Sequence, residues 1–218
     1  MFKVKEGYKD NKKKYEGGYN KVIFSLVPSK TRVLDIGCST GTLARVLTKG
    51  KKCLVTGIDI DDNSLKKASR YCDRVFKCDL DDLVKLDTVL AEESFDVITL
   101  GDVIEHLKYP GLLLNTLKKH LRKDGIIVAS VPNSAFILLR IKFLFGDFSY
   151  SQKGGLMDED HLRFFNIKTA KLLFKETGYK VEKAFGVNIV KKKFWFLKPL
   201  GKLLPSLFAI HIIITAKK

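Results

Sequence analysis

The sequence has few features that would place it in a membrane or in an oxidising compartment. None of its apolar runs reaches the ~18 residues that a membrane-spanning helix needs, and the Lys-rich N-terminus lacks the apolar core of a secretory signal. It has only four cysteines, and no two of them form a C-x-x-C pair. We therefore expect a cytoplasmic protein with reduced thiols, without disulfides and without a metal site.

Acidic residues are scarce relative to basic ones. The 218 residues include 40 Lys and Arg against 24 Asp and Glu, which gives a formal net charge of +16. One interpretation is attraction to nucleic acid, to anionic lipid or to an anionic substrate. The other is a Lys-rich solvated surface, and the scattering of single lysines along the chain favours it.

Two common phosphate-binding motifs are absent. The chain has neither G-x-G-x-x-G nor G-x-x-x-x-G-K-[ST]. It has instead the segment VLDIGCSTG at 33–41, an apolar strand that leads into a turn between Gly37 and Gly41 and then into a helix. The next strand, 54–58, ends in Asp59, where a carboxylate can accept hydrogen bonds from both hydroxyls of a ribose. This order is typical of a nucleotide-type cofactor site.

Asp35 narrows the choice of cofactor. A carboxylate just before the turn would repel a pyrophosphate, but it would attract an ammonium group. S-adenosylmethionine has an α-amino group and a ribose and carries no phosphate, so we expect it to be the cofactor. A third strand, 74–77, leads to Asp79, which can accept a hydrogen bond from an adenine amino group. Asp81 and Asp82 are alternatives for that role, or caps of the next helix.

Further strands at 95–100 and 125–131 alternate with helical segments, and this alternation predicts a parallel sheet. The predicted helices between them are 42–48, 63–71, 83–91 and 111–121. Because ligands bind beyond the carboxyl ends of parallel strands, the residues that follow the strands should converge on one crevice. The residues that we expect to bind the cofactor there are Asp35, Gly37, Cys38, Gly41, Asp59, Ile60, Asp79, Leu80, Gly101 and Asp102.

The chain resembles the class I SAM-dependent methyltransferases, and within them the small bacterial and archaeal enzymes associated with surface-glycan and lipid pathways. The resemblance lies in VLDIGCSTG (33–41), GIDID (57–61), CDLDD (78–82), FDVITLGDVIEHL (95–107), DGIIVASVPN (124–133) and GGLMDEDHLRFFNIKTAKLLFKETGY (154–179). It implies an α/β, Rossmann-like, seven-stranded sheet that is mostly parallel, with helices on both faces and an antiparallel last strand. The sequence departs from the family at Ser39, where a glycine is usual.

We expect one SAM-dependent methyltransferase domain over 1–218. Residues 1–31 form an N-terminal extension with a helix at 15–27, and residues 134–165 form an insertion that covers the site as a cap after the fifth strand. Asn166 is expected to cap a helix over 167–177. Strands at 180–185 and 208–216 complete the sheet, and the basic, aromatic segment 191–208 between them is a candidate for peripheral membrane contact.

Two histidines are the catalytic candidates. Glu105 and His106 are expected to begin a helix at the rim of the site, and His106 either faces the acceptor or packs as a capping ring. His161 and Arg163 lie in the predicted cap, where they either anchor it by hydrogen bonds or bind and deprotonate the acceptor. Anchoring is slightly favoured for this pair. His120 and His211 carry no motif and are interpreted as structural.

The reaction expected from these residues is methyl transfer to a small-molecule acceptor, most simply O-methylation of a sugar, a lipid precursor or a related metabolite. A nucleic-acid methyltransferase is one alternative, but the motif [DNS]-P-P-[YFW] of base N-methylation is replaced by Gly101-Asp102-Val103-Ile104. A non-catalytic SAM-binding module is another. A glycan-linked or lipid-linked acceptor is the expected partner, nucleic acid is less favoured, and the oligomeric state stays open.

Overall fold

A computed structural model describes residues 19–152, 154–187 and 204–218. Seven strands form one sheet in the order β3-β2-β1-β4-β5-β7-β6. Strand β7 runs antiparallel to both of its neighbours, whereas the other six strands are parallel. The strands are β1 (Arg32–Ile36), β2 (Leu54–Asp59), β3 (Arg74–Lys77), β4 (Phe95–Gly101), β5 (Leu121–Pro132), β6 (Lys180–Val187) and β7 (His211–Lys217). The predicted fold class is confirmed.

Alternate residues of the central strands face two separate apolar cores, as a parallel sheet covered on both faces requires. Val33 of β1 is in register with Val55 and Val97, and all three belong to one core. The next residue, Leu34, is in register with Ile98 and belongs to the other core. Both faces of the sheet are therefore buried.

Helices cover the two faces in groups. Helices α1, α2 and α3 contribute buried residues to the first core, and α4, α5 and α7 contribute to the second. The described helices are α1 (Lys21–Leu26), α2 (Thr42–Lys51), α3 (Asp62–Ala68), α4 (Leu83–Leu90), α5 (Pro110–Lys119), α6 (Ile137–Leu144), α7 (Ile167–Glu176) and α8 (Pro205–Phe208).

The boundaries differ from the predicted ones where a cap or a strand pair decides them. Helix α3 begins earlier than expected because Asp61 accepts a hydrogen bond from the Ser64 N–H at 2.7 Å. The helix predicted over 111–121 ends at Lys119, because Leu121 already pairs with Phe95 in the sheet. Asn166 caps α7 as predicted, in a capping box with Thr169.

Two predicted elements need correction, and two others lie partly outside the described residues. Glu105 and His106 do not begin a long helix but lie in a single 3-10 turn, Ile104–His106. The strand predicted from residue 208 begins at His211, because Phe208 ends the short helix α8. The part of the predicted N-terminal helix at 15–18, and most of the basic segment 191–208, lie outside the described residues. Among the residues described, no helix is both long and apolar enough to span a membrane.

The segment 134–165 begins and ends at the same place, at the carboxyl end of β5. The Ser134 N–H donates a hydrogen bond to the Phe165 carbonyl oxygen at 2.8 Å, and Asn133 forms a parallel bridge with Phe165. The Asn133 side chain donates to the carbonyl oxygens of Ser206 and Ala209 at 2.8 and 2.7 Å. The segment, which contains α6, is therefore an excursion with a closed base.

Candidate active site

The turn after β1 depends on left-handed backbone conformations. Gly37, Ser39 and Gly41 have φ angles of 69°, 46° and 74°. A Cβ at Gly37 would lie 2.5 Å from Val103 Cγ2, so a larger residue there would meet both a steric and a conformational obstacle. Ser39 adopts the left-handed region although it is not a glycine, so the departure from the family leaves the turn intact.

The Asp59 carboxylate is oriented by the backbone on both sides. Oδ2 accepts a hydrogen bond from the Ser39 N–H at 2.8 Å, and Oδ1 accepts one from the Asp61 N–H at 3.0 Å. A carboxylate has about four acceptor sites, so two are left for a ligand. The arrangement places a fixed pair of acceptors at the end of β2, as binding of a ribose diol requires.

Asp35 is buried in the sheet beside this turn, with 4% of its surface exposed. Its Oδ1 accepts a hydrogen bond from Thr99 Oγ1 at 2.7 Å. Burial raises the pKa of Asp35 to about 7, against the effect of the Thr99 hydrogen bond, and the charge of Asp59 adds to the rise. Within the described ranges, no Lys or Arg forms an ion pair with Asp35 or Asp59. The two carboxylates therefore favour a cationic ligand, and the ammonium group of S-adenosylmethionine is one.

The three aspartates after β3, at positions 79, 81 and 82, make different contacts. Asp82 caps α4 by accepting from the Lys85 N–H at 3.1 Å, and Asp81 accepts from the Lys108 N–H at 3.1 Å. Asp79 is exposed, and its Oδ1 accepts only from the Asp81 N–H at 3.0 Å among the described residues. Asp79 is thus the acid that is available for an adenine amino group. Two apolar neighbours are accessible there as well, the half-buried Leu80 and Ile60, which is 42% exposed.

Cys38 lies beneath the turn. Its thiol fills the space beside Gly57, where a Cβ would approach Cys38 Sγ to 2.8 Å and Cys72 Sγ to 3.1 Å. A hydrogen bond with Cys72, together with burial, raises the pKa of the Cys38 thiol. Its N–H donates to the Ile58 carbonyl oxygen at 2.9 Å. The structure therefore shows Cys38 shaping the turn with its thiol directed into the core.

Gly101 is the last residue of β4, and Asp102 follows it. Asp102 has a φ of 55°, its N–H donates to the Ser130 carbonyl oxygen, and Ser130 Oγ donates to Asp102 Oδ1 at 2.9 Å. His211 Nε2 lies 3.9 Å from Asp102 Oδ2. Three buried side-chain nitrogen or oxygen atoms in the described ranges have no hydrogen-bond partner, and His211 Nδ1 is one of them. No motif marks these two residues, because strand pairing brings them to Asp102. The pairing of β4 with β5 places Ser130 there, and the pairing of β5 with β7 places His211 there.

A second group of side chains surrounds the 3-10 turn. Glu105 is 1% exposed, and neither of its carboxyl oxygens has a hydrogen-bond partner among the residues described. Burial raises the pKa of Glu105 well above its usual range, and the charges of Asp102 and Asp158 raise it further. The Glu105 carbonyl oxygen accepts from the N–H groups of Leu162 and Arg163 at 2.9 and 3.0 Å. This peptide is therefore fixed, while its carboxyl group has no hydrogen-bond partner within the described part of the chain.

The two candidate catalytic histidines meet beside Glu105. Their ring centroids are 4.8 Å apart, and the rings cross at 68°. His106 Nδ1 lies 3.0 Å from the Asp160 carbonyl oxygen. Arg163 Nη2 donates to the Lys108 carbonyl oxygen at 2.6 Å, which gives Arg163 the predicted anchoring contact. His120, in contrast, is held by Asp87 and the Glu93 carbonyl oxygen, away from these residues.

Thr99 could have been found from the sequence, because it is a polar residue between apolar residues in the middle of β4. The strand register then places it beside Asp35. With Asp35 suited to an ammonium group and Asp59 to a ribose, the fold and the site define a class I SAM-dependent methyltransferase.

Comparison with known proteins leads to the same class. The chain matches the family model of a methyltransferase domain over residues 9–184, and it belongs to that family. S-adenosylmethionine is its cofactor, and the protein is a SAM-dependent methyltransferase.

Two curated relatives are named ubiquinone biosynthesis O-methyltransferase. The protein from Glaesserella parasuis serovar 5 is 30% identical over 119 residues, which cover 50% of each chain. The protein from Neisseria meningitidis serogroup A is 30% identical over 105 residues, which cover 47% of this chain and 44% of that one. The chain thus aligns with about half the length of these relatives.

Solved structures share the fold at low identity. A SAM-dependent methyltransferase from Archaeoglobus fulgidus superposes with a TM-score of 0.64 at 21% identity, over 91% of this chain and 90% of that one. One from Mesorhizobium loti superposes with a TM-score of 0.63 at 16% identity, over 91% and 96% of the two chains.

Proposed function

We propose that the protein transfers the methyl group of S-adenosylmethionine to a hydroxyl oxygen of a small-molecule acceptor. The observation that carries the proposal is the pair of hydrogen-bond acceptors Asp35 and Asp59, near the carboxyl ends of β1 and β2. The two are close enough for the charge of Asp59 to raise the pKa of Asp35. The choice of oxygen as the methyl acceptor is supported by the relatives named O-methyltransferases.

The cofactor supplies a methyl group that is already activated on a sulfonium sulfur. The chain's own contribution is to hold donor and acceptor in line, which can supply ~7–11 kcal/mol in favourable cases. Asp35 pairs with the ammonium group, Asp59 accepts from the ribose hydroxyls, and Asp79 accepts from the adenine amino group. The sulfur–carbon bond breaks as the oxygen–carbon bond forms, and the acceptor's hydroxyl proton is released.

The acceptor side of the site lies in the segment 134–165 and in the turn 104–106 that it contacts. We propose that this segment covers the acceptor and that His106 and His161 act on its hydroxyl group. Large apolar side chains are exposed at its far end, with Leu144 and Phe145 each 81% exposed. Such a surface suits a lipid-linked acceptor or contact with a membrane surface, and it supports a lipid-linked precursor as the substrate class.

A screen with methyl-labelled S-adenosylmethionine tests the proposal. The acceptors are soluble phenols and diols, prenylated phenols, polyprenyl-linked sugars, amines and transfer RNA, and methyl ethers are identified by mass spectrometry. Label in a methyl ether of a small hydroxyl compound supports the proposal. Label only in RNA or in an amine, or binding of S-adenosylhomocysteine without turnover on any acceptor, would contradict it.

A further inference from the structure

We propose that Glu105, His106 and His161 bind a divalent transition-metal ion. The geometry further points to a role for that ion at the acceptor hydroxyl, and this second part rests on the proposed function. One ligand atom from each of the three side chains lies within 4.8 Å of the other two. The sequence offered no ligand spacing for such a site, because His161 is more than fifty residues from the other two ligands.

Glu105 is the strongest indication. A buried carboxyl group without a hydrogen-bond partner costs free energy, and such groups normally pair, coordinate a metal or lose their charge. Two backbone N–H groups hold the Glu105 peptide in place through its carbonyl oxygen, so the position of the side chain is set by the fold. Both carboxyl oxygens are then available as ligands, mono- or bidentate.

His106 has the hydrogen-bond arrangement that is typical of a metal-binding histidine. Its Nδ1 can bond to the Asp160 carbonyl oxygen only by donating a proton, so in the neutral ring Nε2 keeps its lone pair. Metal-binding histidines generally donate the other ring N–H to a carbonyl or carboxylate oxygen, which fixes the tautomer.

His161 completes the set from the segment 134–165. Its ring crosses that of His106 at 68°, and its backbone N–H donates to the Asp158 carbonyl oxygen at 3.1 Å. Ligand atoms at about 2.0–2.2 Å from one ion in tetrahedral geometry lie about 3.3–3.6 Å apart. Closing the 4.8 Å cluster onto an ion therefore needs pairs of ligand atoms to approach each other by at most about 1.5 Å, a distance shared between two side chains.

The electrostatic surroundings also favour a cation. The charges of Asp102 and Asp158 both act on Glu105. Imidazole ligands suit later transition metals such as Zn²⁺, Ni²⁺ and Co²⁺ better than Mg²⁺ and Ca²⁺.

Three protein ligands leave coordination positions open, as in catalytic metal sites. A hydroxyl group that binds there loses its proton to water more readily, without any change of oxidation state. The resulting oxygen attacks the methyl carbon, and the thioether leaves. The ion would also tie the segment 134–165, through His161, to the turn after β4. His106 and His161 then act as ligands, and neither is a general base.

Titration with Co²⁺ tests the site in the full-length protein after treatment with EDTA and its removal. We expect one Co²⁺ per chain with visible d–d absorption, and binding at least about tenfold weaker in Glu105→Gln and in His161→Asn. Glu159→Gln is the matched control, an exposed carboxylate two residues from His161, and it should bind Co²⁺ as the unaltered protein does. Equal Co²⁺ affinity in Glu105→Gln and Glu159→Gln, or a preference for Mg²⁺ over Co²⁺, would overturn the proposal.

Binding of S-adenosylhomocysteine, measured on the same metal-free samples, separates this proposal from the function. Retained binding in Glu105→Gln shows that the variant is folded, so its loss of Co²⁺ can be assigned to the site. If the unaltered protein binds Co²⁺ but no hydroxyl acceptor is methylated, the metal site stands and the proposed function fails. If ethers form at full rate in EDTA, the function stands and the role of the metal fails.

Discussion

The Ser39 N–H donates a hydrogen bond to Asp59 Oδ2 at 2.8 Å, and this contact joins the turn after β1 to the end of β2. The residue that departs from the family pattern thus orients the carboxylate expected to bind the ribose. The contact uses the backbone of Ser39 and not its hydroxyl group. Any residue that tolerates a φ of 46° can therefore serve there, which explains why the usual glycine is dispensable.

Replacement of Asp59 by alanine should weaken S-adenosylhomocysteine binding by about 1.5–3 kcal/mol, the range for hydrogen bonds to a charged group. Calorimetry provides the measurement. Asp62→Ala is the control, because Asp62 lies three residues away and pairs only with Lys77 among the described residues. Equal affinity in the two variants would show that Asp59 does not hold the ribose.

Asp35 should make cofactor affinity depend on pH. Its pKa is about 7 in the cofactor-free protein, and pairing with an ammonium group requires the ionised form. Affinity for S-adenosylhomocysteine should therefore fall as the pH drops below 7, by up to about tenfold per unit. Asp35→Asn should bind weakly at every pH between 5 and 8. A pH-independent affinity in the unaltered protein would contradict the assignment of Asp35 to the ammonium group.

The same carboxyl group should make the stability of the protein depend on pH in the opposite direction. Cofactor affinity falls as the pH drops, whereas the free energy of unfolding rises. Its pKa is 3.8 in a model peptide and about 7 when folded, so the folded state disfavours its ionisation. Its contribution is fully favourable below pH 3.8 and is lost progressively as the pH rises through 7, at about 1.4 kcal/mol per unit at most. Asp35→Asn should therefore unfold at a higher urea concentration than the unaltered protein at pH 8, and the difference should shrink at pH 5. A difference independent of pH would mean that Asp35 is not buried as a neutral acid.

Gly37→Ala should destabilise the protein by more than the conformational cost of a positive φ, because the added Cβ meets Val103 Cγ2. Gly146→Ala isolates that conformational cost, since Gly146 has a φ of 75° and no atom of the described residues lies within 4 Å of an added Cβ. We expect about 1–2 kcal/mol for Gly146→Ala in urea unfolding and a clearly larger loss for Gly37→Ala. Similar losses in the two variants would show that Val103 moves aside without cost.

Shortening the segment 134–165 should separate acceptor binding from cofactor binding. Removal of 141–150, with a short Gly-Ser linker in their place, leaves Glu105, His106 and His161 in the chain and removes the exposed apolar end. We expect unchanged S-adenosylhomocysteine affinity and loss of methyl transfer to a known acceptor. Loss of cofactor binding would instead assign this end of the segment to the cofactor pocket or to the folding core.

The sequence predicted the sheet well, because its strands are local patterns. The same patterns single out the cofactor acids, whose assignment stays a prediction. Asp35 and Asp59 each follow from a strand with a recognisable end, and Asn166 from a capping pattern. The cluster of Glu105, His106 and His161 could not be predicted from a local pattern. Whether His161 contacts His106 depends on how the segment after β5 folds back, and no local periodicity encodes that path. His211 is similar, because its approach to Asp102 is a consequence of inserting β7 between β5 and β6.

The closed base at Asn133 and Phe165 has a consequence for how such a chain can diversify. When two ends of an excursion are already joined, each doubling of its length costs only about 0.6 kcal/mol of closure entropy. The stability of the sheet therefore depends little on the length of what is inserted between these two residues. If the segment 134–165 selects the acceptor, as proposed, recombination or insertion at this one point would exchange the substrate preference and leave the methyl-donor site unchanged.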